Sequence, residues 1–410
     1  MNKEFFGKNR KKIFDLMANN SMLVLASGVI YRSTADNDFD FEVDRSFYYF
    51  TGINQDNVTF ILTKINNKKD EYLFIEENDP VKVKWIGAKL YKEEASELSG
   101  IKKVLYKTEF DKTIDKLASS VKSLYLNMDK SSSHLFNYNY QFSNMIKKNL
   151  PDKEVIDAFP MIVDLRFVKE KEEIELVKES IEVTRLGIER LMKESKPGLY
   201  EYQLECYFDF VLKTNGGRRT SFKTIAAGGV NATTLHYTAN DTILKDNELV
   251  LFDLGTQTNF YISDISRTFP VNGKFTKRQK EIYEEVLNVN KQMIDFIHPG
   301  LTRITYNNEA KRLLALACKR LGLIKFDEDL VNYYWHGIGH SIGLDVHDPA
   351  NYDKGIKAGS LMTVEPGLYI KEEGIGVRIE DNVIVTDTKA INLSASIIKE
   401  TKDIEELMRR

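Results

Sequence analysis

The chain has 410 residues, 42% of them hydrophobic and 29% charged, with a formal net charge of -3. That length exceeds the size at which a single hydrophobic core stops growing, so two domains are expected. The balanced charge excludes a global field suited to nucleic acid or an anionic membrane, and the lysines are interleaved with acids as on a solvated surface.

Two cysteines, Cys206 and Cys318, are too few for a disulfide framework or a thiolate metal site. Cys318 shares an apolar helix face with Leu314 and Leu321 and reads as a small buried hydrophobe. The amino terminus, Met1 to Phe6, lacks the continuous apolar core of a signal peptide. The apolar stretch from Met22 to Tyr31 is broken by Ser27 and Gly28 and is too short to cross a bilayer. A cytoplasmic protein is expected, with neither nucleic acid nor membrane as a partner.

In chain order, residues 1–165 alternate strand-like and helical runs. Met22 to Leu25, Val58 to Leu62, Tyr72 to Ile75 and Leu124 to Leu126 read as buried strands. Lys92 to Leu98 and Phe110 to Val121 read as helices, which makes this an α/β domain without a catalytic cluster of its own. Residues 166–410 form the second expected domain. It opens with an amphipathic helix over Lys169 to Lys196, whose apolar residues recur at spacings of three and four until Pro197-Gly198 stops it. Further helices are predicted over Glu201 to Lys213, from the N-cap Thr276 (with Gln279 three positions on) to before Pro299, and over Thr305 to Leu321. Between them lie strands: Leu249 to Asp253, partnered by Phe260 to Phe269 across a turn at Gly255 to Asn259, and Leu361 to Ile370, partnered by Gly376 to Val385.

The polar residues on those strands carry the chemistry. Asp253 ends an apolar run, and Asp264 stands eleven positions on, where a hairpin can set both acids on one face. Such a pair repels itself unless a cation or a shared proton lies between the carboxylates. An ion pair of Asp264 with Arg267 is the simpler alternative. Glu365, before Pro366-Gly367, and Glu380, before Asp381-Asn382, also interrupt apolar strands, where an unpaired charge is expensive. Glu380 can pair with Arg378, two positions away on the same face, or share Arg378 as an outer clamp on a metal ligand. With His340, the four acids make a hard ligand set for two divalent ions, which can turn a water between them into a nucleophile near neutral pH.

Four of the six histidines, His236, His336, His340 and His347, fall in two short motifs. His134 and His298 read as structural, His298 at a helix C-terminus. The spacing of His336 and His340 resembles a zincin helix, but Gly337 replaces the required glutamate and two glycines oppose a helix. His236 and His347 are suited to donate hydrogen bonds to a developing oxyanion, with His336 as a further pocket group. Simple packing is the alternative for His236.

Together, His236-Tyr237, LFDLG at 251–255, SDISRTFPVNGKF at 263–275, HGIGHSIGLDVHD at 336–348, VEPGLY at 364–369 and VRIEDN at 377–382 resemble the signature of proline-directed metallopeptidases. The match is to the Xaa-Pro aminopeptidases (aminopeptidase P), over roughly residues 170 to 410 and in the right order. Residues 45–52, RSFYYFTG, resemble that family's amino-terminal domain, which methionine aminopeptidases lack. Creatinase-like and histone-chaperone relatives lose ligands that this chain retains.

The resemblance implies an α/β N-terminal domain followed by an α+β pita-bread catalytic domain. It implies release of an N-terminal residue that precedes proline, by a water bridging two divalent ions, commonly manganese. By resemblance, Asp253 chelates one ion, Asp264 and Glu380 bridge both, and His340 and Glu365 hold the other. Glu365 also shuttles the proton, His236 and His347 steady the tetrahedral intermediate, and His336 and Arg378 shape the proline side. Asp36 and Trp85 match an acid and a tryptophan that reach a neighbouring subunit's site, so a homodimer or larger assembly is expected. The rivals are an Xaa-Pro dipeptidase (prolidase) and a catalytically inactive peptide-binding module of the same fold.

Overall fold

The computed structural model describes residues 1–129, 137–217 and 219–409, and His134 lies outside them. The described chain divides into two compact units, Met1–Arg166 and Phe167–Arg410.

The first unit is built on a six-stranded mixed sheet. Its strands are β1 (Ser21–Ala26), β2 (Thr59–Ile65), β3 (Lys68–Ile75), β4 (Lys103–Tyr106), β5 (Ser123–Leu126) and β6 (Glu154–Asp157), in the order β4-β3-β2-β1-β5-β6. The central strands β1, β2 and β5 are the apolar runs legible in the sequence. Met22, Val24, Ile61, Phe74 and Leu124 meet in one core cluster with Phe110 and Phe142 from flanking helices. The short, partly exposed strands β4 and β6 lack that apolar signature. Helices cover Lys92–Ser99 and Phe110–Ala118 as predicted, while Lys3–Leu16 and Tyr138–Asn149 were not predicted.

The second unit begins with the long helix Lys171–Glu194, whose Leu176, Val177, Ile181, Thr184, Ile188 and Leu191 are buried along one stripe. The helix Glu201–Thr214 follows. Thr276 caps the helix Lys277–Phe296 by accepting from Gln279 N, the expected capping box. The helix Arg303–Arg320 buries Cys318, whose thiol burial raises to about 12, as befits an inert core group. His298 is exposed just beyond the helix ending at Phe296, its Nδ1 2.9 Å from Pro299 O.

Two interrupted hairpins carry the predicted polar residues. In the first, β8 (Leu249–Leu254) pairs antiparallel with β11 (Ile265–Pro270), and β9 (Gln257–Thr258) with β10 (Tyr261–Ile262). Both ladders keep one register, since Asp253 faces Ser266 and Thr258 faces Tyr261. The turn is therefore tighter than the sequence suggested. It falls at Asn259 and Phe260, both with positive φ (47° and 69°), rather than spanning Gly255 to Asn259. The unpredicted strand β7 (Ile225–Gly228) flanks β8.

In the second hairpin, β12 (Leu361–Val364) pairs with β15 (Asp381–Val385), and β13 (Gly367–Ile370) with β14 (Ile375–Arg378). The short strand β16 (Ala390–Asn392) flanks β15. Val364 faces Asp381 and Gly367 faces Arg378, again one continuous register. The two long strands expected from the sequence are thus each split in two, at Glu365-Pro366 and at Ile379-Glu380. Proline, which cannot donate to the ladder, explains the first break.

Candidate metal centre

Continuing the second hairpin's register sets Glu365 directly opposite Glu380, at the point where the ladder is interrupted. In the first hairpin Asp253 faces Ser266, and Asp264, two residues before Ser266, shares their face. The hairpins are stitched together at these positions. Asn382 accepts from Asp264 N at 3.0 Å and donates to Asp264 O at 2.6 Å, while Glu380 N donates to Ser266 O at 3.0 Å.

The imidazole of His340 arrives on a non-helical loop that runs beside β12. Thr363 N donates to His340 O, His340 N to Thr363 Oγ1, and Glu365 N to Ile338 O. This approach requires glycine in HGIGH, because a Cβ on Gly339 would stand 2.1 Å from Thr363 O. Gly255 plays the same part in LFDLG, where a Cβ would lie 1.9 Å from Ser263 O.

A cavity of about 560 Å³ in the second unit collects the result. Asp253, Asp264, His340, Glu365 and Glu380 all line it, together with His236, His336, His347 and Arg378. Ligand atoms of Asp264, His340 and Glu380 lie within 4.8 Å of one another. His340 Nε2 is 3.4 Å from Asp264 Oδ2 and 3.7 Å from Glu365 Oε1. The predicted alternative for Asp264 does not occur: Arg267 pairs with Asp381 at 2.8 Å. Asp36 and Trp85 belong to the first unit and are exposed, Trp85 to 84%, and neither lines this cavity.

Arg378 is fully committed. It donates to Asp253 Oδ2 (2.8 Å), Ser266 Oγ (2.8 Å) and Tyr369 Oη (3.1 Å), so its clamp falls on Asp253. Tyr369 Oη, accepting from Arg378, can in turn donate to His336 Nε2 at 2.8 Å. That leaves His336 Nδ1 as the donor to Gly337 O at 2.7 Å, a neutral imidazole with an assigned tautomer. Burial and the neighbouring Arg378 hold its pKa down at about 4.

The electrostatics describe a site built for cations. Burial and the neighbouring Asp264 push Asp253 up to about 6 against the pull of Arg378. Glu365 is pushed up to about 7 by burial and the nearby Asp264 and Asp253, against the pull of His340. Glu380 is driven well above the usual range by burial and then by Asp264, Glu365 and Asp253. Burial would lower His340, but its bond to Asp264 and the charge of Glu365 raise it to about 9. Carboxylates crowded this closely away from water resist ionisation until positive charge joins them. One buried oxygen, Asp253 Oδ1, has no hydrogen-bond partner among the described residues. That orphaned oxygen, beside the three-ligand cluster, fits a divalent-metal site of oxygen-rich character.

Ser266, Tyr369, Phe222, Lys223, Leu235, Thr238 and Arg303 carry no role predicted from the sequence, although the first two lie within the SDISRTFPVNGKF and VEPGLY motifs. Ser266 donates to Glu380 Oε2 at 2.8 Å, and the last five line the cavity. Period-two counting from Asp264 would have exposed Ser266; nothing local marks Arg303 or Phe222.

Two interrupted hairpins and the loops beside them thus bring four acids, four imidazoles and the Arg378 guanidinium onto one cavity, a donor set suited to a metal-dependent hydrolase. Residues 175–387 match the model for metallopeptidase family M24, and residues 6–125 match the aminopeptidase P N-terminal domain. The chain belongs to metallopeptidase family M24, with the α/β first domain and pita-bread second domain expected from the resemblance. It is 34% identical to the Xaa-Pro aminopeptidase of Haemophilus influenzae, over 99% of this chain and 97% of that protein. Identity to the Escherichia coli Xaa-Pro aminopeptidase is 31%, with the same coverage. The solved aminopeptidase P from E. coli in its low-pH form superposes with a TM-score of 0.93 at 30% identity, over 100% of this chain and 98% of that one.

Proposed function

We propose that the chain is a metal-dependent aminopeptidase that hydrolyses the bond between an N-terminal residue and a penultimate proline. The observation that carries this reading is the convergence of Asp264, His340 and Glu380 within 4.8 Å in a cavity that Asp253 and Glu365 also line. Two divalent ions held by those five residues would supply Lewis acidity and an activated water. Manganese is the proposed ion, since the donors are oxygens but for one imidazole.

The chain's own groups supply the rest. Glu365 takes a proton from the attacking water and delivers it to the departing proline nitrogen. His236 and His347 stand at the cavity with N–H groups for the carbonyl oxygen as it gains charge. Arg378 holds Asp253 in place, and through Tyr369 it fixes His336, so these groups form a rigid wall for the proline ring. The substrate's free amine sits beside the acids, which limits cleavage to the first residue.

Among the described residues, no helix is long and apolar enough to cross a membrane. The reading extends to a cytoplasmic setting, although one relative, intermediate cleaving peptidase 55 of Arabidopsis thaliana, is named as mitochondrial. It also extends to a homodimer or larger assembly in which Asp36 and Trp85 serve a neighbouring subunit's site. The short helix Pro80–Ile86 buries none of its residues and exposes Val81, Trp85 and Ile86, which suits such a contact.

The dipeptidase reading is less well supported, because the bacterial Xaa-Pro aminopeptidases align over both domains. The inactive peptide-binding module is disfavoured by the intact ligand set. The deciding experiment offers an Xaa-Pro dipeptide and a longer Xaa-Pro peptide side by side with manganese. Preferential cleavage of the longer peptide supports the aminopeptidase; cleavage of the dipeptide alone replaces it with a dipeptidase. Binding without turnover of either supports the module.

A further inference from the structure

Behind the cavity lies a second polar cluster that the reaction does not use. Arg267 is fully buried and donates to five acceptors: Asp381 Oδ1 (2.8 Å), Glu380 O (2.6 Å), Ser266 O (3.0 Å), Ile397 O (3.3 Å) and Ile398 O (3.1 Å). The other oxygen of Asp381 accepts from Lys399 Nζ. Lys399 also donates to Asn290 Oδ1 at 2.8 Å, which fixes the orientation of that amide. The Asn290 amide nitrogen then donates at 3.2 Å to both Val364 O and Ile379 O.

Those two carbonyls immediately precede Glu365 and Glu380, and they sit where the hairpin ladder stops. Buried carbonyls at a broken ladder need donors from elsewhere, and Asn290 supplies both. Arg267 meanwhile takes the carbonyl of Glu380 itself. From Lys399 inward, the network thus reaches the backbone at or immediately before both proposed ligands, through Asn290 at Val364 O and Ile379 O and through Arg267 at Glu380 O.

We infer that Arg267, Asp381, Lys399 and Asn290 form a positioning frame for Glu365 and Glu380, locked from the carboxy-terminal segment by Lys399. The inference rests on the metal reading of the site. The frame holds the two carboxylates facing each other before any ion arrives, so the ligands need no rearrangement on binding. Lys399 is the replaceable member. Its removal leaves Arg267 and Asp381 as a neutral pair, whereas losing Arg267 or Asp381 strands a buried charge.

The test is calorimetric titration of manganese into the chelated full chain, for the parent, Lys399→Met and Lys399→Arg, with each chelated protein's melting temperature recorded. The expected result is that Lys399→Met weakens manganese binding about 10- to 100-fold, and that Lys399→Arg recovers most of the loss. An isotherm for Lys399→Met that overlays the parent's, with only the melting temperature lowered, overturns the inference and leaves a merely structural role. A parent that binds no manganese defeats the metal reading instead. Hydrogen exchange on the chelated parent keeps the question open to refutation even if Lys399→Met does not fold. Slow exchange of the Glu365 and Glu380 amides without manganese is expected; protection that appears only on adding manganese contradicts a preformed frame.

Discussion

Glu365 and Glu380 occupy facing positions of one hairpin register, each at a break in its strand. Two acids set opposite each other on buried strands would repel in an ordinary sheet. Here the regular ladder is interrupted beside them, with Ile379 N still donating to Pro366 O at 3.3 Å, and the carboxylates join Asp253 and Asp264 around one cavity.

That crowding gives the metal-free protein a pH dependence of definite sign. Asp253 rises from 3.8 to about 6, Glu365 from 4.5 to about 7, and His340 from 6.5 to about 9. A raised folded-state pKa contributes stability that is present below the unfolded value and lost as pH climbs through the folded one. All three groups act in the same direction. His336, held down at about 4, opposes them below about pH 6.5. The chelated protein is therefore expected to lose melting temperature from about pH 6.5 to about pH 9, and saturating manganese is expected to flatten that decline. Thermal melts with and without manganese across this range check it.

His340 and His347 stack face to face, ring centroids 3.9 Å apart and 11° from parallel. His347→Phe keeps the stacked surface but removes the N–H proposed to meet the oxyanion. Its kcat is expected to fall about 100- to 1,000-fold with bound metal unchanged. Steady-state kinetics alongside elemental analysis reads both quantities.

Glu201 clasps the loop that carries His236. Its carboxylate accepts from Gly228 N, Asn231 Nδ2, Tyr237 Oη and Thr242 N, all within 3.0 Å. Glu201→Ala strands these donors and is expected to cost about 3 kcal/mol or more. Hydrogen exchange should quicken across residues 228–242 before it does elsewhere in the second unit. Uniform exchange would show that the loop is held by other means.

Glu173 offers a control away from the cavity. Burial lifts its carboxyl to about 7, while its oxygens accept from Tyr261 Oη and Glu170 N. In the parent, stability tied to this group is full below its unfolded value of 4.5 and fades as pH rises through 7. Glu173→Gln should match the parent near pH 4 and exceed it by about 2–3 kcal/mol near pH 8. Denaturant melts of the metal-loaded proteins at the two pH values measure the difference.

Much of this was legible in the sequence because it rests on period and charge. Acids within or beside apolar strands marked four of the five proposed ligands and the HGIGH motif marked the fifth, His340, while the hairpin reading anticipated the common face of Asp253 and Asp264. The helices were visible through their stripes, and Thr276 through its capping box. What escaped depends on contacts between distant segments. Pro366 marks the first break in the sequence itself, whereas the break at Ile379-Glu380 follows from pairing with that segment, which hydrophobicity does not report. Arg378 was expected to serve Glu380 as its neighbour on the strand, yet its shortest carboxylate contact is to Asp253, 125 positions away. Arg267 was likewise drawn to Asp381 rather than to nearby Asp264. Asn290 and Lys399 carried no local signal at all.

The most direct measurement strips the protein of metal and restores manganese stepwise while following release of the first residue from an Xaa-Pro-Yaa peptide. Activity should be absent after chelation and climb to a plateau as the site fills, and Asp264→Ala or Glu380→Ala should stay inactive at any manganese concentration. Undiminished cleavage after chelation, or full activity in either variant, would contradict the account.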